Sequence, residues 1–142
     1  MIKLYFLSIF TLILTACSQA TVQPGHPVIA AYSNAYNEKD ITTMRALMHK
    51  DIEWVGVTGS DIEVHMSGKE TLAKEMEIWF ENPKLPKGAL RDWSINGNMV
   101  AVTETAYWTT NDGEEKSQSA LTVYELKDDL VRRVYYFEAV PD

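Results

Sequence analysis

Residues 91–138 read RDWSINGNMVAVTETAYWTTNDGEEKSQSALTVYELKDDLVRRVYYFE. Three turn signals, Asn96-Gly97, Asp112-Gly113 and Lys127-Asp128-Asp129, divide this stretch into strand-like runs near 90–95, 99–109, 116–126 and 130–138. Runs of this length joined by tight turns predict an antiparallel meander, enough for one curled sheet around a small pocket. Strand alternation puts Val100, Val102, Glu104, Ala106 and Trp108 on one face. Glu104 is the odd member of that face, because a buried carboxylate is costly unless it has a partner or a task. It is expected either to reach solvent or pair structurally with an arginine, or to work in a site. On the last run Val131, Arg133, Tyr135, Phe137 and Ala139 share a face, so that Arg133 is a candidate partner for Glu104 or for an anionic ligand. Leu121, Val123, Val134 and Tyr136 give the opposite faces apolar groups as well, which predicts cover on both sides of the sheet and a homodimer through the outer face.

Upstream of the meander the period changes. Pro27 suits a first helical turn, and Val28, Tyr32 and Tyr36 recur at four-residue spacing, predicting a helix over 27–38. Asp40 is placed to cap a shorter helix whose apolar face is Ile41, Met44, Leu47 and Met48. Asp51 to Val57 reads as a strand that places Ile52, Trp54 and Gly56 on one face, and Thr58-Gly59-Ser60 turns it into a second run, 61–66. Ser67-Gly68-Lys69-Glu70 has capping-box spacing ahead of Leu72, Met76, Trp79 and Phe80, predicting a helix over 68–80. Asn82-Pro83 ends it, and the loop through Pro86 and Gly88 is placed to cross a pocket mouth.

The first 16 residues have the layout of a secretory signal: Lys3, an apolar run from Leu4 to Leu14, then small residues. That run is shorter than the roughly 20 residues a membrane-spanning helix needs. Leu14-Thr15-Ala16-Cys17 resembles a bacterial lipobox, which implies cleavage before Cys17, lipidation of Cys17 and anchoring in the cell envelope. Ser18 after the cysteine implies the outer membrane, facing the periplasm, in a two-membrane cell. The bilayer, reached through Cys17, is thus an expected partner, and residues 17–27 read as the lipidated cysteine and its tether.

Helix, helix, hairpin, helix and meander, in that order, resemble the nuclear transport factor 2-like superfamily, in particular its SnoaL-like and ketosteroid-isomerase-like branches. The resemblance is carried by Tyr36-Asn37-Glu38-Lys39-Asp40, Leu47-Met48-His49-Lys50-Asp51, Ser67-Gly68-Lys69-Glu70 and the run from Val131 to Glu138. It implies an α+β fold over residues 28–142, a cone-shaped half-barrel in which a curled, mostly antiparallel sheet wraps about three N-terminal helices. It also implies that the pocket is lined by Tyr32, Trp54, Glu104, Thr122, Tyr124, Arg133, Tyr135 and Phe137. Compared with ketosteroid isomerases, Tyr32 falls where an oxyanion-stabilising tyrosine sits, but the base position falls on Gly56 and the second acid on Thr122.

A formal charge of −7, one unit more negative without Lys3, argues against nucleic-acid binding, which needs clustered Lys and Arg. With Cys17 as the single cysteine no internal disulfide forms. His49 and His65 have no metal-ligand spacing with another His, Cys or carboxylate pair, and no phosphate loop or nucleophile elbow is present, so neither metal nor cofactor is expected. The expected function is binding of a small, partly apolar ligand, with the reaction unassigned. The alternatives are a non-catalytic interaction module at the membrane surface, and an acid/base enzyme in which Glu104 moves a proton and Tyr32 donates a hydrogen bond.

Overall fold

The computed structural model describes residues 25–141; the leader, Cys17 and most of the tether lie outside them. Helix α1 (Pro27–Glu38) opens on Pro27 and closes on Lys39, whose left-handed conformation returns its N–H to the Ala35 and Tyr36 carbonyls. It buries Ile29, Tyr32 and Ala35. Helix α2 (Ile41–Ala46) is capped by Asp40, which accepts from the Thr43 N–H at 3.0 Å. It is shorter than its apolar pattern predicts. Val131 N–H donates to the Leu47 carbonyl at 2.9 Å and Met48 pairs with Val131, so Met48 opens strand β1 (Met48–Thr58) instead of finishing the helix.

Strand β2 (Asp61–Ser67) completes the hairpin. Helix α3 (Lys69–Phe80) follows without the capping box: Ser67 stays in β2 opposite Glu53, the cap residue is Gly68 at φ 92°, and Glu70 pairs with Arg45 of α2. Sheet pairing holds Ser67 extended, and only glycine takes the next backbone angle without strain. The meander comprises β3 (Lys87–Asn96), β4 (Met99–Thr109), β5 (Glu115–Lys127) and β6 (Leu130–Phe137), with a two-residue β7 (Val140–Pro141) beside β5. Asp128 and Asp129 both have positive φ, as a two-residue turn matched to the twist of its strands requires.

Among the described residues the strand order is β2-β1-β6-β5-β4-β3, antiparallel except where β1 runs parallel to β6. The fold is α+β, three helices against a curled, unclosed mixed sheet. Ile29, Tyr32, Met44, Leu72 and Met76 from the helices meet Ile52, Trp54, Val100, Val102, Tyr124, Val131 and Val134 from the sheet in one buried cluster.

One irregularity reassigns a whole strand. Leu126 pairs with Val131, but Glu125 pairs with Arg133, which leaves Arg132 as an inserted residue, a β-bulge. Because side chains alternate with period two, one extra residue exchanges the faces of all that follow. Val131 and Val134 are therefore both buried, and Tyr136 packs against the core. Arg133, Tyr135 and Phe137 lie on the outer face, not in the cavity where uninterrupted alternation places them. Arg133 there donates to Glu53 at 2.6 Å, to Glu125 at 3.0 Å and to the Tyr135 hydroxyl at 3.0 Å. Its partners are outer-face carboxylates rather than Glu104.

Candidate functional site

Between α1, the end of α3 and the concave sheet face lies a cavity of about 280 Å³. Six aromatic rings wall it: Tyr32 and Tyr36 from α1, Trp54 from β1, Trp79 from α3, Tyr124 from β5 and Tyr136 from β6. The rings brace one another, with centroids 5.6 Å apart for Trp54 and Trp79, 5.4 Å for Trp54 and Tyr136, and 6.4 Å for Tyr32 and Tyr124. Helical spacing aims the two tyrosines of α1 the same way, and strand alternation aims Tyr124 and, after the bulge, Tyr136 at them.

Glu104 projects from β4 into this wall and is half-buried. Its cross-strand neighbours are Ala120 and Leu90, and Gly88 lies one inward position along β3. A Cβ on Gly88 would stand 3.3 Å from Glu104 Oε1, so the missing side chain leaves the carboxyl its room. Tyr124 donates a long hydrogen bond, 3.4 Å, to Glu104 Oε2. Burial raises the Glu104 pKa above its ordinary 4.5, and the Thr122 and Tyr124 hydroxyls only partly oppose this. The same burial, reinforced by Glu104, raises Tyr124, Tyr136 and Tyr36. Tyr32 is raised by burial, with Trp54 opposing and Glu104 reinforcing the shift. The Tyr32 hydroxyl and Trp54 Nε1 are buried without a hydrogen bond of normal geometry.

Since the folded state holds its Glu104 proton more tightly than the unfolded chain, the sign of the linkage is fixed: this group lowers stability as pH rises through the window above 4.5. Glu104→Gln is expected to stabilise the protein at pH 7 by about 1 kcal/mol for each unit of displacement. Urea melts from pH 4 to pH 8 check this: the gain shrinks towards the acid end, where carboxyl and amide are both neutral.

A side-chain clamp sets the mouth. Asn37 Nδ2 donates to the Gly88 carbonyl at 2.7 Å while Gly88 N–H donates to Asn37 Oδ1 at 2.8 Å, so one amide ties α1 to edge strand β3. Asn37→Ala leaves both Gly88 groups to water or to nothing. It is expected to cost about 1–2 kcal/mol in a urea melt, with faster exchange of the Gly88 amide hydrogen as the local signature.

Of the residues named from the sequence, Tyr32, Trp54, Glu104 and Tyr124 line the cavity, and Thr122 is fully buried next to Tyr124 on β5 without lining it. Arg133, Tyr135 and Phe137 are excluded by the bulge. Three lining rings, Tyr36, Trp79 and Tyr136, were not among them. Tyr36 and Trp79 read as helical core stripes, and Tyr136 follows the bulge. The spacing Val131-Arg132-Arg133-Val134 is the available signal, since apolar residues three apart inside a strand mark a slip of phase. The position of Gly56 has no side chain of its own, and the space beside it is taken by the His65 imidazole, which stands at a bulge in β2. Among the described residues no group of three or more His, Cys, Asp or Glu is arranged to hold a metal ion.

A family model described as SnoaL-like domain matches residues 29–134. The chain belongs to the SnoaL-like domain family. No curated protein matches it. Among solved structures, this SnoaL-like chain is similar to an uncharacterised cystatin-fold protein from Novosphingobium aromaticivorans, at 20% identity and TM-score 0.64, over 78% of this chain and 95% of that one. It is also similar to a hypothetical protein with a ketosteroid isomerase-like fold from Catenulispora acidiphila, solved in complex with trimethylamine, at 9% identity and TM-score 0.65, over 81% and 87% of the two chains. An epoxide hydrolase of M. tuberculosis gives 16% identity and TM-score 0.64, over 81% and 80%. At such identities these likenesses establish the fold alone, which hosts unlike chemistries.

Proposed function

We propose that this protein is a lipid-anchored envelope protein whose SnoaL-like domain binds a small, partly apolar molecule in the aromatic pocket. The observation that carries this is the cavity itself: about 280 Å³, walled by six aromatic rings, with a single carboxyl, that of Glu104, among the described residues that line it. Apolar walls with few, placed polar groups are the usual make-up of a small-molecule site, and this volume lies just below the usual range, which suits a ligand of few atoms. The anchor rests on Leu14-Thr15-Ala16-Cys17, and Cys17→Ser is expected to move the protein from the membrane to the soluble fraction.

A second reading, acid/base catalysis, is favoured by the raised Glu104 pKa, a shift in the direction that helps a carboxyl hold and then release a proton. A third, self-association through the outer face, draws on exposed Leu121 and Phe137 there; a monomeric mass on sedimentation would remove it. The deciding experiment for the pocket is a thermal-shift screen of a small-molecule collection against wild type and Glu104→Gln. Compounds that stabilise only the wild type support binding at this carboxyl, and a screen with no stabilising compound overturns the pocket reading.

A further inference from the structure

We propose that the pocket takes a small organic cation, a methylated ammonium group, with Glu104 as its counter-charge. The inference rests on the pocket-binding reading above and names the class of its ligand. Three independent observations converge on it.

The first is how the fold treats its carboxylates. On the outer face Glu53 and Glu125 are both ion-paired to Arg133, and Glu53 also to Arg132. Glu104, half-buried inside, meets only hydroxyl groups among the described residues, and a carboxylate partly withdrawn from water without a cation carries a desolvation cost that a bound cation offsets. The second is the wall. Two tryptophans and four tyrosines surround the space next to Glu104, and aromatic faces attract cations, tryptophan most strongly. A methylated ammonium has no N–H or few to satisfy, so rings rather than hydrogen-bond acceptors are its natural surroundings. The third is charge. A net −7 on the chain attracts cations and repels anions before any contact forms.

Among the described residues lining the pocket, Lys87 is the one basic residue. Its neighbour Gly88 faces Glu104, so alternation turns the Lys87 side chain to the other face of β3, where it borders a groove with Tyr107 and Glu115. The other titratable groups facing Glu104 are the phenols of Tyr32 and Tyr36 on α1, Tyr124 on β5 and Tyr136 on β6, all held neutral by their raised pKa values. Glu104 is therefore the group that supplies negative charge to the pocket.

The test compares choline and tetramethylammonium with 3,3-dimethyl-1-butanol, the uncharged carbon isostere of choline, on the purified full-length chain. At a hundredfold excess over Kd either cation is expected to raise Tm by about 5 °C or more, and the isostere to leave it unchanged. Calorimetry should show at least a tenfold loss of affinity in Glu104→Gln and in Trp79→Ala, the latter 37% exposed and outside the buried cluster, so that truncation spares the core. Affinity should also fall on acidification as Glu104 takes up its proton. If the isostere stabilises as well as choline, the site is a neutral apolar pocket: the cation inference fails while pocket binding stands. Unchanged choline affinity in Glu104→Gln also overturns it, as does the absence of binding by either cation, and the screen described above then decides separately whether the pocket binds anything.

Discussion

Trp54→Ala is expected to lower the unfolding free energy by about 3–5 kcal/mol, the usual cost of truncating a large buried aromatic. Trp54 is only 8% exposed and belongs to the main buried cluster, and its ring touches both Trp79 and Tyr136. Removing it takes away the post that braces two other pocket walls, so binding should disappear together with stability. Urea denaturation followed by circular dichroism reads the first, and Trp54→Phe separates the second. The phenyl ring keeps most of the packing and should cost about 1–2 kcal/mol, while the indole N–H is lost. If Trp54→Ala shifts the denaturation midpoint by no more than an exposed substitution such as Lys74→Ala, the ring is not the brace described here.

The second large effect belongs to Arg133. Arg133→Leu strips Glu53 on β1 and Glu125 on β5, the strands either side of β6, of their shared cation and leaves Arg132 beside Glu53 alone. Breaking a fully buried pair costs about 3–5 kcal/mol. Here the side chains keep between a fifth and a third of their exposure, and solvent screening reduces the expectation to about 2 kcal/mol. The pH dependence carries the diagnosis. The hydrogen bond and charge of Arg133 lower the Glu53 pKa below its ordinary 4.5, so this stabilisation is present above 4.5 and is lost as pH falls through the lowered value. Wild type should therefore lose stability on acidification, and Arg133→Leu should lose less over the same range. Equal acid sensitivity in both proteins would count against the pair.

Much of this architecture could be read from the chain because local and global signals agree. Pro27 with the Val28–Tyr32–Tyr36 stripe, the alternation through Val100, Val102 and Glu104, and the paired aspartates at 128 and 129 each state their own structure. What escaped depends on contacts distant in sequence. Met48 leaves its helix because Val131 pairs with it, and Ser67 abandons its cap because Glu53 holds it in a strand. The bulge at Arg132 was hidden by two consecutive arginines, which fit either phase of the alternation. Hence Glu104 and Tyr124 were legible as inward residues, whereas Arg133 and Tyr136 exchanged places. The Asn37–Gly88 clamp joins residues 51 apart and left no local mark.

The unclosed sheet leaves strand edges that the fold must protect. Among the described residues the outer strands of its main path are β2 and β3, and an uncovered strand edge is a template on which another chain can polymerise. Ile62 and Val64 on β2 are 69% and 52% exposed, which would make that edge adhesive. Asp61, Glu63 and the bulge at His65 interrupt it, and two such edges brought together would oppose their acidic side chains. On the far side Asp92, at φ 54°, breaks the rhythm of β3, and Asn37 occupies the backbone groups of Gly88. The sheet thus stays open enough to hold a pocket while its margins refuse lateral growth into fibres.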